Sequence, residues 1–88
     1  MNYQITHLQE ENRFEIKIGE DMAYVEYTLH DENLDIEHTF VPKPLEGQGL
    51  AAALVKKAYD YALVNNLKPL ATCSYAVAWL ERHPEYNR

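Results

Sequence analysis

Gly47-Gln48-Gly49 separates a β-prone segment ending at Phe40-Val41 from a helix-prone run that begins Leu50-Ala51-Ala52-Ala53-Leu54. Glycine permits a tight turn and lets backbone N–H groups approach a ligand closely. The first turn of a helix adds N–H groups without internal acceptors and the positive end of the helix dipole. Together these features bind anions, and phosphate or pyrophosphate is the natural guest. The loop is not of the Walker type, because no Gly-Lys-Ser/Thr follows. Nor is it a dinucleotide G-x-G-x-x-G, because Ala52 stands where the third glycine would be.

Two further side chains could do chemistry. Cys73 ends a short β-prone segment and precedes Ser74, a good helix N-cap. A thiol beside a helix N-terminus has a lowered pKa and can act as a nucleophile. The alternative is a small buried hydrophobe. His38 lies in the strand before the glycine loop, in the same alternating set as Ile36 and Phe40. It reads as a core histidine satisfied by a neighbour, or as a base that deprotonates an amine or activates Cys73. His7 and His30 carry no motif, His83 reads as structural beside Pro84, and no His-x-x-x-His pair suggests a metal. Lys56 and Lys57 form a solvated helix face or meet phosphates.

The elements that must position these groups follow from periodicity. Phe14, Ile16 and Ile18 alternate with Glu15 and Lys17, Ala23, Val25, Tyr27 and Leu29 with Tyr24, Glu26 and Thr28, and Leu34, Ile36, His38 and Phe40 with Asp35, Glu37 and Thr39, with turns at Gly19-Glu20-Asp21 and Asp31-Glu32-Asn33. Three period-two runs with short turns predict an antiparallel meander with one apolar face. Leu50, Leu54, Ala58 and Ala62, joined by Ala51, Val55 and Tyr61, predict a helix from Gly49 to about Asn66. Lys68–Cys73 reads as a strand, parallel to the segment at 34–41 because a helix connects them. Ser74 caps a last helix, Tyr75 to about Arg82, which Pro84 keeps short. The expected fold is α+β, in the order β-β-β-α-β-α.

The loop Glu46-Gly47-Gln48-Gly49-Leu50-Ala51 resembles the coenzyme A loop of the GNAT acetyltransferase superfamily. That loop reads Arg or Gln, two residues, Gly, one residue, then Gly or Ala. Glu46 departs from it, since a carboxylate beside a pyrophosphate is unfavourable unless it points away. Cys73-Ser74-Tyr75 and Arg82-His83-Pro84-Glu85-Tyr86 resemble motifs of very short, stand-alone GNAT-like proteins. The two regions together span residues 38–86, in the expected order.

The resemblance implies a minimal GNAT-like fold whose one parallel strand pair is splayed to admit acetyl-CoA, over a single domain at 1–88. It implies an acetyl-CoA-dependent N-acetyltransferase acting on an amine, or a non-catalytic acetyl-CoA-binding domain that works through a partner. The implied cofactor contacts are Phe40, Val41, Gly47, Gln48, Gly49, Leu50, Ala51, Ala52, Cys73 and Tyr75. The implied catalytic residues are Cys73 and His38. Longer members often carry Asn at the Cys73 position, bonded to the pantetheine arm, so Cys73 either lines that channel or takes the acetyl group. Leu80 falls where many members have a Tyr that protonates the leaving thiolate, which leaves Tyr75 and Tyr86 as substitutes or as packing residues. Full-length members also have extra N-terminal helices and C-terminal strands, so the acceptor site is open here or completed by a homodimer.

Composition sets the outer bounds. The 88 residues carry a formal charge of −6, which opposes nucleic-acid binding and fits a cationic acceptor. A 47% hydrophobic content supports a folded core. One cysteine permits no internal disulfide. The absence of a signal-like N-terminus or a membrane-length apolar run leads to a cytoplasmic expectation.

Overall fold

The computed structural model describes residues 3–87. Strands β1 (Ile5–Leu8), β2 (Arg13–Ile18), β3 (Asp21–His30) and β4 (Asn33–Phe40) are followed by helix α1 (Leu50–Val64), strand β5 (Lys68–Ala71) and helix α2 (Ser74–Arg82). The strands form one sheet in chain order. β1 to β4 pair antiparallel, and β4 and β5 pair parallel. This is the expected mixed architecture with one more strand.

β1 was not legible because it is four residues long and runs at once into the polar turn Gln9–Glu11. It is held by tertiary contacts. The His7 ring stacks on Phe14 at 3.9 Å and meets the edge of Tyr61 at 4.5 Å. Its Nε2 lies 2.6 Å from the Tyr27 hydroxyl. Burial of that hydroxyl, with Tyr61 nearby, pushes Tyr27 up to about 12, so it stays protonated.

Phe14, Ile16, Ala23, Val25, Tyr27, Leu34 and Ile36 turn one face of the sheet toward a single core. α1 covers it with Leu50, Leu54, Val55, Ala58, Tyr59 and Ala62. The buried aromatic of α1 is therefore Tyr59, four residues after Val55, and Tyr61 reaches instead toward His7. α2 packs beside α1 through Trp79, whose ring lies 5.8 Å from that of Tyr59. The opposite face carries Arg13, Glu15, Lys17 and Glu26. Glu15 is only 6% exposed there, flanked by Arg13 at 3.8 Å and Lys17 at 3.7 Å.

One irregularity decides the site. The β3–β4 register shifts between Glu26 and Tyr27: Tyr27 pairs with Ile36, but Glu26 pairs with His38. Glu37 is the extra residue, a β-bulge that reverses the alternation of everything after it. His38 therefore leaves the face of Ile36, and Phe40 is 47% exposed, with its ring 5.5 Å from that of Tyr24. The core-histidine reading of His38 fails for this reason. Thr39, opposite buried Val25, takes the inward position.

The β1 contacts generate a pH test. Burial lowers the pKa of His7 below its ordinary 6.5. The unfolded chain then binds the proton first, so stability is full above about pH 6.5 and falls as pH drops below it. Urea unfolding at pH 7.5 and 5.5 should show a smaller loss for His7→Gln than for the parent chain. Equal losses would show that His7 titrates alike in both states.

Candidate functional site

The glycine loop has the geometry expected of an anion cradle. Pro42 leads into a tight turn, Lys43–Leu45, in which the Leu45 N–H donates to the Pro42 carbonyl at 2.9 Å. The Leu45 side chain is buried and fixes the loop to the core. Gly47 (φ 82°) and Gly49 (φ 76°) both have left-handed backbones that other residues adopt only with strain. A Cβ at either glycine would meet no heavy atom within 4 Å, so the backbone there faces open space.

Gly49 is the N-cap of α1, and no side chain caps this helix. The Ala53 N–H donates to the Gly49 carbonyl at 3.1 Å. The N–H groups of Leu50, Ala51 and Ala52 precede it and have no acceptor within the helix. A cleft of about 240 Å³ opens beside them, lined by Val41, residues 45–47 and 49–52, and Tyr75 from α2. Gln48 is exposed and stands off this wall, and Glu46 is part of it.

The second half of the site is where the sheet parts. β4 and β5 pair from Asn33/Lys68 to Ile36/Ala71 and no further. The Ile36 carbonyl accepts from the N–H groups of both Thr72 (3.0 Å) and Cys73 (3.1 Å), which turns the chain away. The Thr72 hydroxyl donates to Asp35 Oδ2 at 2.8 Å and fixes the departure. Residues 37–40 of β4 are left without a β5 neighbour. Leu70 and Ala71 remain paired, so the split on β5 starts only after Ala71.

Cys73 sits at this split as the N-cap of α2, two residues beyond β5, and Ser74 is the first helical residue. The thiol is half-buried, with Sγ 3.4 Å from the Thr39 hydroxyl. Burial pushes the Cys73 pKa up. The Thr39 hydroxyl and the N–H groups of Ala76, Tyr75 and Thr39 outweigh it, and the thiol lies below its ordinary value. It is a thiol poised toward thiolate at a helix N-terminus.

Of the residues singled out from sequence, the cleft gathers Val41, Gly47, Gly49, Leu50, Ala51, Ala52 and Tyr75, with Cys73 two residues from Tyr75. His38 and the Phe40 ring are turned to the opposite sheet face by the bulge, so His38 is not the neighbour of Cys73. Thr39 is that neighbour, and the period-two pattern hid it. Tyr59 was also missed: its phenol donates to the Leu70 carbonyl at 2.5 Å, and burial, with Asp35 and Cys73 nearby, raises its pKa far above the ordinary value. Its spacing from Val55 and Ala62 was the available signal. Tyr86 is buried and donates to Asp60, which also takes Lys56 at 2.9 Å, so both Tyr86 and Lys56 serve packing. Leu80 is half-buried against the core. A larger recess of about 400 Å³ runs between β5 and α2, lined by Leu70, Val77, Leu80 and charged Lys68 and Glu81. It has no free helix-start N–H groups, so the anion site belongs to the smaller cleft.

The chain is 28% identical to Protein NATD1 of Xenopus tropicalis over 83 residues, 91% of this chain and 76% of the frog protein. It is 29% identical to Protein NATD1 of Danio rerio over 87 residues, 93% of this chain and 79% of the fish protein. The solution NMR structure of a GCN5-like protein from Staphylococcus aureus superposes with a TM-score of 0.74 at 37% identity, covering 94% of this chain and 82% of that one. The GCN5-related N-acetyl-transferase profile matches residues 13–88. With the glycine loop, the parted strands and this match over most of its length, the chain belongs to the GCN5-related N-acetyltransferase family.

Proposed function

We propose that the protein is an acetyl-CoA-dependent N-acetyltransferase acting on a primary amine. The observation that carries this reading is the meeting of two features at one cleft. The uncapped start of α1 presents free N–H groups behind two left-handed glycines, and β4 and β5 part beside it. The donor set fits a pyrophosphate, and the gap between the parted strands fits a pantetheine arm. Acetyl-CoA, when bound, supplies an activated acyl group.

The chain's own groups have distinct tasks. The N–H groups of Leu50, Ala51 and Ala52 hold the diphosphate. Val41 and Tyr75 wall the arm. Backbone N–H near Phe40 and Val41 polarises the acyl carbonyl, as an oxyanion hole does. Cys73 Sγ then bonds the acyl carbon as the thioester C–S bond breaks and CoA departs as its thiol, having taken up the proton Cys73 lost. The amine next attacks the Cys73 thioester, the C–S bond to Cys73 breaks, and the proton lost by the amine is taken up by Sγ to re-form the thiol. In the direct variant the amine attacks the donor itself and Cys73 lines the channel. His38, exposed on the outer face, could serve as a base only for an amine that approaches from that face.

The second reading is a domain that binds acetyl-CoA without turnover. Leu80 favours it, because an apolar, packed side chain occupies the position of the usual acid, and Tyr86 is committed to Asp60. Free-thiol release from acetyl-CoA across a panel of amines separates the two.

The ligand claim is tested by NMR titration with CoA, which should shift residues 40–54 and 70–76. Gly49→Val should lose binding, because a β-branched residue at this φ costs roughly 1–2 kcal/mol and its side chain stands over the cradle. Glu46→Gln should tighten CoA binding by roughly two- to fivefold, the value of removing a like charge near a helix start. Normal binding by Gly49→Val would remove the loop from the site.

The route is tested by intact mass after incubation with acetyl-CoA alone. Covalent catalysis gives one hydroxylamine-labile acetyl group, absent in Cys73→Ala, which should lose turnover while keeping CoA affinity. An unmodified chain with full turnover in Cys73→Ala would leave direct attack as the mechanism.

A further inference from the structure

We infer that Thr39 is the positioning residue for the Cys73 thiol, and that the bulge at Glu37 exists at the site to deliver the Thr39 hydroxyl there. The inference rests on the transferase reading for its purpose, but not for its evidence.

The geometry runs from sequence outward. Without the bulge, strict alternation would put His38 inward with Ile36 and turn Thr39 outward. The extra residue reverses this, so Thr39 lies opposite buried Val25 and His38 opposite Glu26. Thr39 also falls in the part of β4 that β5 has left, which gives the Cys73 side chain room to approach from α2. The contact joins segments 34 residues apart in the chain, at 3.4 Å.

A threonine suits this place for two reasons. Its hydroxyl works in both protonation states. The neutral thiol donates to Oγ1. When the proton leaves to solvent, the hydroxyl rotates and donates to the sulfur instead. Its branched Cβ restricts χ1, so the hydroxyl is held rather than searching. Cys73 is also the N-cap of α2, so the positive end of that helix dipole favours the thiolate from a second element. Thr39 thus fixes the direction from which Sγ meets an acyl carbon in the gap between the strands. It acts through Cys73 and not on the substrate.

Cys73 is the sole cysteine, so its alkylation by iodoacetamide reports on this thiol alone. Rates read by intact mass from pH 5 to 10 give an inflection for the thiol. In Thr39→Val, which keeps the shape and removes the hydroxyl, the inflection should rise by about one pH unit, the scale of one lost hydrogen bond to a charged group. Alkylation at neutral pH should slow by roughly five- to tenfold as the thiolate fraction falls. Thr39→Ser should restore the parent profile. Thr39→Ala serves if the valine variant does not fold, as judged by its amide spectrum. Parent-like profiles in the valine or alanine variants, or failure of serine to restore the profile in a folded chain, would overturn the assignment. The assay contains neither acetyl-CoA nor an amine, so that result would leave the transferase reading standing. A parent chain that alkylates as expected but never transfers an acetyl group would defeat the transferase reading and leave Thr39 in place.

Discussion

The Ile36 carbonyl accepts two N–H groups, those of Thr72 and Cys73, and that shared acceptor ends the parallel ladder between β4 and β5. The rest of the site depends on this ending. Backbone groups in a folded chain need partners, and a ladder that continued to Phe40 would have filled the gap with hydrogen bonds between the strands. Because it stops, four residues of β4 have no β5 neighbour, and α2 starts beside the gap instead of beyond the sheet.

That arrangement would be loose without clamps on the helices. Tyr59 ties α1 to β5 through the Leu70 carbonyl, just before the strand departs. A phenol buried there without an acceptor would cost about 1–3 kcal/mol, so the bond matters more by its absence than by its presence. Trp79 packs on Tyr59 and stacks with His83 at 4.0 Å, and Tyr86 closes on Asp60 from the far end of the chain. These contacts set where α2 lies, and hence where its first N–H groups point. The Arg-His-Pro-Glu-Tyr segment therefore supports the site from a distance.

Much of this was legible in the residues. The meander, the long helix, the parallel return and the short last helix all follow from periodicity and turn chemistry, because each buries one regular face. Gly47 and Gly49 were legible because few other residues could occupy their backbones. What escaped were features that no local pattern encodes. β1 is too short to show a period and is held by the stacking of His7 on Phe14. The bulge at Glu37 reverses a strand without changing its composition, so His38 was drawn inward and Thr39 overlooked. The thiol's neighbour is a matter of tertiary register, and register is set by the whole sheet.

In the proposed function one ligand lies across both the start of α1 and the gap beside Cys73. Intermolecular nuclear Overhauser effects between unlabelled CoA and the isotope-labelled protein test it most directly. Contacts are expected from the pantetheine protons to Val41, Cys73 and Tyr75. Contacts to Val77 and Leu80 in the recess along β5, or to the side-chain rings of Tyr24 and Phe40 on the outer face, would rule this placement out.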